Sequence, residues 1–238
     1  GVALMTRGAR VTNDATQWRK RSRQVFKRAL FLWVLGLSYW WIWPADILHY
    51  YGVYMLVLML VWRWQPRYLL WVAGGVIGVY PLLLLLFDYE AHWNFDTFDY
   101  EGFWTMVGFL RNLWIDGFHP VLPWVAFMLV GYWYGCQDLR DKAVLKKTIL
   151  WAGSGWLLVQ GLSWGLIEGL SAGNAEEKLL LGQILGMSPM PPLPIYMLNG
   201  IFMALLVIAV AIGWSERYRE TKIVVALSQM GQLALTFY

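Results

Sequence analysis

Charge is what this sequence has least of. Only 14% of its 238 residues are Asp, Glu, Lys or Arg, against roughly 25% in an ordinary soluble domain. A single cysteine, Cys136, excludes an intrachain disulfide and a Cys-based metal cluster. The loops that mark common soluble enzymes are missing too. There is no Walker A loop, no dinucleotide fingerprint, no His-Glu-x-x-His and no Gly-x-Ser-x-Gly. No internal repeat, low-complexity tract or signal peptide is evident.

What is present is apolar sequence in long runs, 59% of the chain in all. A helix needs about 20 such residues to cross a hydrocarbon core at roughly 1.5 Å per residue. The runs predict an all-α fold, a polytopic transmembrane helical bundle. It forms a single membrane domain over 1–238 with about six spans, at 25–43, 47–64, 68–87, 120–137, 148–170 and 196–214. The 17 Trp and 13 Tyr fit, because rings with an apolar body and a polar tip gather at membrane–water interfaces. The chain opens at Gly1 on an apolar scrap and stops at Tyr238 inside a fresh apolar run. The expectation is that both ends are cut from a longer bundle.

The basic residues orient the bundle. Eight Lys and Arg precede the first span up to Arg28, two lie in the 63–67 turn, four in 138–147 and three in 215–222; these are 17 of the 19. Only Arg111 and Lys178 fall on the other side, with ten of the 15 acids. Lys and Arg concentrate in cytoplasmic loops, so residues 6–24 and the basic loops are expected in the cytoplasm. The net charge of +4 then belongs to a membrane rim and not to nucleic acid binding. The expected partner on this count is the lipid bilayer, and the sequence is compatible with a homo-oligomer.

The outer side carries the long connections, 88–119 and 171–195, of a length usually reserved for lids or site walls. Within the first, Gly102 to Trp114 can form a short interfacial helix. Ionisable groups beside spans are costly and invite functional hypotheses. Asp46 and His49 stand three apart at the outer start of the second span, on one helical face. A carboxylate there either caps the helix after Pro44 or orients an imidazole as a general base. Asp116 and His119 sit where the outer loop enters the fourth span, with Pro120 and Pro123 placed to start it. His119 near that helix N-terminus is disfavoured as a cation. It either accepts a proton at a site or serves as a structural interface histidine. Glu168 and Asn199 read most simply as a boundary charge and as interhelical glue, and His92 as a wet loop residue. At the basic rim, Lys27 and Arg28 serve either lipid attraction or a phosphate-rich ligand.

Several stretches together resemble a known group. Phe26-Lys27-Arg28-Ala29-Leu30, Leu35-Gly36-Leu37 and Asp46-Ile47-Leu48-His49-Tyr50-Tyr51-Gly52 resemble bacterial YeiB-like membrane proteins. These are similar to the catalytic domain of heparan-α-glucosaminide N-acetyltransferase, within the transmembrane acyltransferase superfamily. Gly117-Phe118-His119-Pro120-Val121-Leu122-Pro123-Trp124, with Gly131 and Gly135, looks like the central motif. Met190 to Met197 and Gly231 to Thr236 look like further landmarks. The resemblance implies transfer of an acyl group, acetyl above all, from cytosolic acyl-CoA to a saccharide or other cell-envelope acceptor. It implies a bacterial inner or plasma membrane location and no metal. It also implies a catalytic histidine from an early helix pair that would precede Gly1, so His49 and His119 do not inherit that role by default. Arg140 departs from the pattern, displaced behind Cys136-Gln137-Asp138.

The leading expectation is therefore a membrane acyltransferase. Lys27 and Arg28 would contact CoA phosphates, and Asp46, His49, Asp116 and His119 would form the outer face of the site. A transporter or permease is the alternative, with Gly74-Gly75, Gly78 and Pro81 marking a broken helix. A non-catalytic membrane scaffold is the third reading.

Overall fold

A computed structural model describes residues 15–218 and 221–232. Arg7 and Arg10, with the rest of residues 1–14, Arg219 and residues 233–236 of the last landmark lie outside the described residues. The fold is mostly helical. Its helices are α1 (Ala15–Tyr39), α2 (Leu48–Val61), α3 (Pro66–Leu84), α4 (Met106–Arg111), α5 (Val121–Gly135), α6 (Lys142–Ser171), α7 (Ala175–Leu185), α8 (Pro194–Arg217) and α9 (Lys222–Gln232). A π-helical turn, Asn112–Asp116, continues α4. Among the described residues a two-residue antiparallel ladder also forms, β1 (Trp93–Asn94) with β2 (Asp99–Tyr100), in which Trp93 faces Tyr100.

Local chemistry sets the boundaries. Pro66 and Pro194 begin α3 and α8, where a missing N–H costs nothing. Asp141 and Asn174 cap α6 and α7 by accepting the amides of Ala143 and Glu176. Ala172 and Gly173, both at positive φ, stop α6. Two expectations shift here. The outer segment 171–195 contains α7, because Asn174 supplies a cap and Glu176 and Glu177 complement its N-terminus. The interfacial helix expected over 102–114 begins at Met106, where the Thr105 hydroxyl accepts the Gly108 amide at 3.1 Å.

The helices pack mainly as α1 with α2, α3 with α5 and α6 with α8. Small residues let the first pair approach. A Cβ on Gly52 would come within 2.6 Å of the Ala29 carbonyl, and one on Gly36 would overlap the His49 amide and the Asp46 carboxylate. One core joins Tyr50, Tyr54 and Leu58 of α2 to Leu69 and Ile77 of α3, Val125 and Leu129 of α5 and Met197 of α8. A second, aromatic core lies over one end: Trp40, Tyr89, Trp93, Tyr100 and Phe103, with Trp40 stacked on Phe103 at 3.6 Å. At the opposite end Trp18 meets Trp62 at 4.9 Å, and Arg63 lies 5.8 Å from the Trp18 ring.

Among the described residues two helices, α3 and α8, are long and apolar enough to cross a membrane. A third span exists if α4 with its π turn and α5, bent by 48°, count as one. These apolar windows are mostly turned outward: only 22% of the α3 window and 17% of the α8 window are buried. Trp71, Trp151 and Leu158 are each at least 70% exposed. A soluble monomer seldom displays so large an apolar surface, so this is the exterior of a membrane-associated protein. The other expected spans are less clear-cut. α2 has 14 residues, the first turns of α1 are basic, and Gly, Ser, Trp and Gln160 dilute α6.

Candidate functional site

The connection between the π turn and α5 leaves the helical path, and this break organises the site. Residues 112–119 present carbonyls that no helix satisfies, and aromatic donors from other elements take them up. The Tyr80 hydroxyl of α3 donates to the Ile115 carbonyl at 2.7 Å, Trp93 Nε1 to Asp116 at 2.5 Å, Tyr89 to Gly117 at 2.9 Å and Tyr54 of α2 to His119 at 2.5 Å. Irregular backbone is tolerated beside a membrane only when its polar groups are met in this way. Leu122 (φ −97°, ψ 118°) also departs from helical geometry just inside α5. Pro120 therefore stands in extended conformation ahead of the helix.

Asp46 and His49 meet, though not on one helical face: Asp46 stands ahead of α2, which begins at Leu48. Asp46 Oδ2 accepts the Leu48 amide at 2.8 Å and lies 3.4 Å from both the His49 amide and His49 Nδ1. Capping and imidazole orientation, alternatives in the sequence, are performed by one oxygen. Both side chains are fully buried. The His49 ring packs 3.9 Å from Tyr50 and 5.6 Å from Trp40. Its Nε2 has no hydrogen-bond partner among the described residues.

Tyr50 links the histidines. Its hydroxyl donates to Asn112 Oδ1 at 2.6 Å, and its ring lies 6.1 Å from His119. Gly117 fits beneath that hydroxyl, where a Cβ would overlap it and the Asn112 carbonyl. His119 Nδ1 and Asn112 Nδ2 are buried and, among the described residues, without partners. His119 packs against Trp124 at 4.7 Å. Burial pushes its imidazole down from an ordinary 6.5 to about 4; nearby His49 deepens the depression and Asp46 opposes it. A neutral ring follows at neutral pH.

Asp116 is placed differently. Arg111 Nε donates to its Oδ2 at 2.5 Å and the Tyr100 hydroxyl to its Oδ1 at 2.8 Å, inside a fully buried setting. Burial, reinforced by that carboxylate, drives the Tyr100 hydroxyl well above the usual phenol range, so it remains a donor. Asp116 thus anchors the loop to the aromatic core. Lys27 and Arg28 are exposed within α1. Nine residues separate Lys27 from Gly36, roughly 13 Å of helix, so they do not join the histidine cluster. Glu168 pairs with Lys178 at 2.5 Å on the surface, and the Asn199 carbonyl oxygen has no described partner.

Tyr50 and Asn112 were missed by sequence reasoning. The spacing of Asn112 and Asp116, four residues apart before a helix break, was the available signal for a polar face there.

The arrangement can do base chemistry. A carboxylate on one imidazole nitrogen leaves the other as proton acceptor. A second neutral histidine and an amide offer hydrogen bonds beside it. Each orphaned buried polar atom costs about 1–3 kcal/mol, so three together mark a place where a polar ligand is stabilising. Compared with family models, curated proteins and solved structures, the chain matches none.

Proposed function

We propose that the chain crosses the membrane six times, with its basic rim in the cytoplasm, and is an integral membrane acyltransferase. It moves an acyl group, acetyl in the simplest case, from cytosolic acyl-CoA to a hydroxyl or amine of a saccharide or other envelope acceptor. The observation that carries the reading is the Asp46–His49 pair, with Nδ1 held at 3.4 Å from the carboxylate and Nε2 unpartnered. Its resemblance to YeiB-like and heparan-α-glucosaminide N-acetyltransferase-like proteins supports the choice of acyl transfer. The six-span topology is supported by the packing: Trp18, Trp62 and Arg63 gather at one end, while Asp46 and His119 lie at the other.

In this scheme His49 Nε2 takes the proton of the acceptor hydroxyl or amine as that atom attacks the thioester carbonyl. The carbon–sulfur bond breaks, and the CoA thiolate leaves and recovers the proton. Asp46 holds the imidazole tautomer and steadies the transient cation. Asn112 and His119 bind the acceptor, and Asp116 is a positioning residue acting through Arg111 and Tyr100. Lys27 and Arg28 meet CoA phosphates at the cytoplasmic rim.

The test is thiol release from acetyl-CoA by the full-length protein in nanodiscs, with amino sugars as acceptors. His49→Gln should lower kcat by about 10²–10⁴-fold with an unchanged melting temperature. An active His49→Gln enzyme, or no saturable acetyl-CoA binding by wild type, would sink the proposal. For the permease reading, α3 runs unbroken through Gly74, Gly75, Gly78 and Pro81, and the interrupted element is the bent pair α4–α5 instead. Substrate flux without acyl consumption would support that reading, and inactivity in both assays would favour the scaffold.

A further inference from the structure

Away from the histidine cluster, α3, α5, α6 and α8 enclose a cavity of ≈ 680 Å³, a size that suits one ligand. Its polarity is one-sided. Gln137 at the end of α5, with Lys147 and Thr148 near the start of α6, lines the basic end; elsewhere the walls are almost wholly aliphatic and aromatic. Tyr134 also lines it, with 1% exposure and a hydroxyl that has no hydrogen-bond partner among the described residues. Two of the four walls are α3 and α8, the helices apolar enough to cross a membrane. A cavity between such helices is suited to an apolar chain, with its polar end at Lys147.

We infer that this cavity holds one acyl chain of an anionic phospholipid, its ester carbonyl accepting from Tyr134 and its phosphate beside Lys147. The sign of the head group follows from the surrounding rim. Arg140, Lys142, Lys146 and Lys147 outnumber Asp138 and Asp141 in this segment, and both acids accept backbone amides. A basic rim at a membrane surface attracts anionic lipid by about 1 kcal/mol per side chain. An apolar chain fills walls that would otherwise lose dispersion contacts, and a carbonyl relieves the buried phenol. The inference rests on the membrane reading, not on acyl transfer, and its failure leaves the thiol-release assay untouched.

Gly74 provides a clean test, because it lines the cavity and a Cβ built on it meets nothing within 4 Å. Gly74→Leu fills the space while raising helix propensity, so α3 should still form. Gly75→Leu, on a separate shallow groove of the same helix, is the control. Full-length protein is reconstituted in phosphatidylglycerol–phosphatidylcholine nanodiscs, re-extracted, and its retained lipid counted by native mass spectrometry. One phosphatidylglycerol per chain is expected. Gly74→Leu should lower retention about tenfold and Tyr134→Phe about fivefold, with Gly75→Leu unchanged. Lys147→Gln, at an exposed side chain, should erase the preference for phosphatidylglycerol. Equal retention of both lipids by wild type would overturn the inference. So would equal effects of Gly74→Leu and Gly75→Leu, or a dimer that excludes lipid.

Discussion

Asp116 takes Arg111 on one carboxylate oxygen and Tyr100 on the other, whereas Asp46 Oδ2 serves both a backbone amide and His49. The two carboxylates are equally buried, yet their removal should have different consequences. Asp116→Asn leaves a half-buried guanidinium without its counter-charge, which costs about 3–5 kcal/mol and should show as a lower melting temperature. A melt unchanged from wild type would refute that pairing as an anchor. Gly36→Ala should destabilise by about 1–3 kcal/mol, because its Cβ overlaps the His49 amide and Asp46. Gly78→Ala, open to space, should be neutral or stabilising. The Asp46–His49 contact was legible in the sequence because a carboxylate just ahead of a helix reaches the amides and side chains of its first turn, which is local geometry. Tyr50 with Asn112, 62 residues apart, was not, since only the folded bundle brings them together.

At the scale of elements, the bent pair α4–α5 decides where His119 points. Its depressed imidazole fixes a sign. Between about 6.5 and about 4 the unfolded chain binds a proton that the folded chain refuses. Stability is fully present above that window and falls as pH drops through it, by up to about 3 kcal/mol. Melts of wild type at pH 7 and 4.5 should therefore diverge more than those of His119→Gln; parallel profiles would contradict the burial of this ring. Hydropathy read the elements only in part. It marked where chain becomes apolar, near residue 25, but α1 already begins at Ala15, since Arg, Lys and Gln are good helix formers. Lys27 and Arg28 are consequently mid-helix and exposed. The proline cluster 188–194 obscured α7, whose cap and acidic first turn were visible at 174–177.

For the whole molecule, the segregation of basic and acidic loops makes a direct prediction. In a Cys136→Ser background, Asp99→Cys should react with a membrane-impermeant maleimide on intact cells. Arg140→Cys should react only after permeabilisation. Both side chains are exposed, so labelling of both from one side would overturn the six-span topology. The apolar exteriors of α3 and α8 were legible in the sequence as long runs. The cavity among α3, α5, α6 and α8 was not, because it depends on which faces of four separated helices meet.

The phenols around residues 112–119 also make that stretch a shared load. α2 holds it at Asn112 and His119, α3 at Ile115, and the outer aromatic core at Asp116 and Gly117. No one of these bodies can shift past the others without pulling on a tether that another also grips. A displacement at His119 is thereby passed to α2, α3 and the aromatic core together, because all three hold the same short stretch of chain.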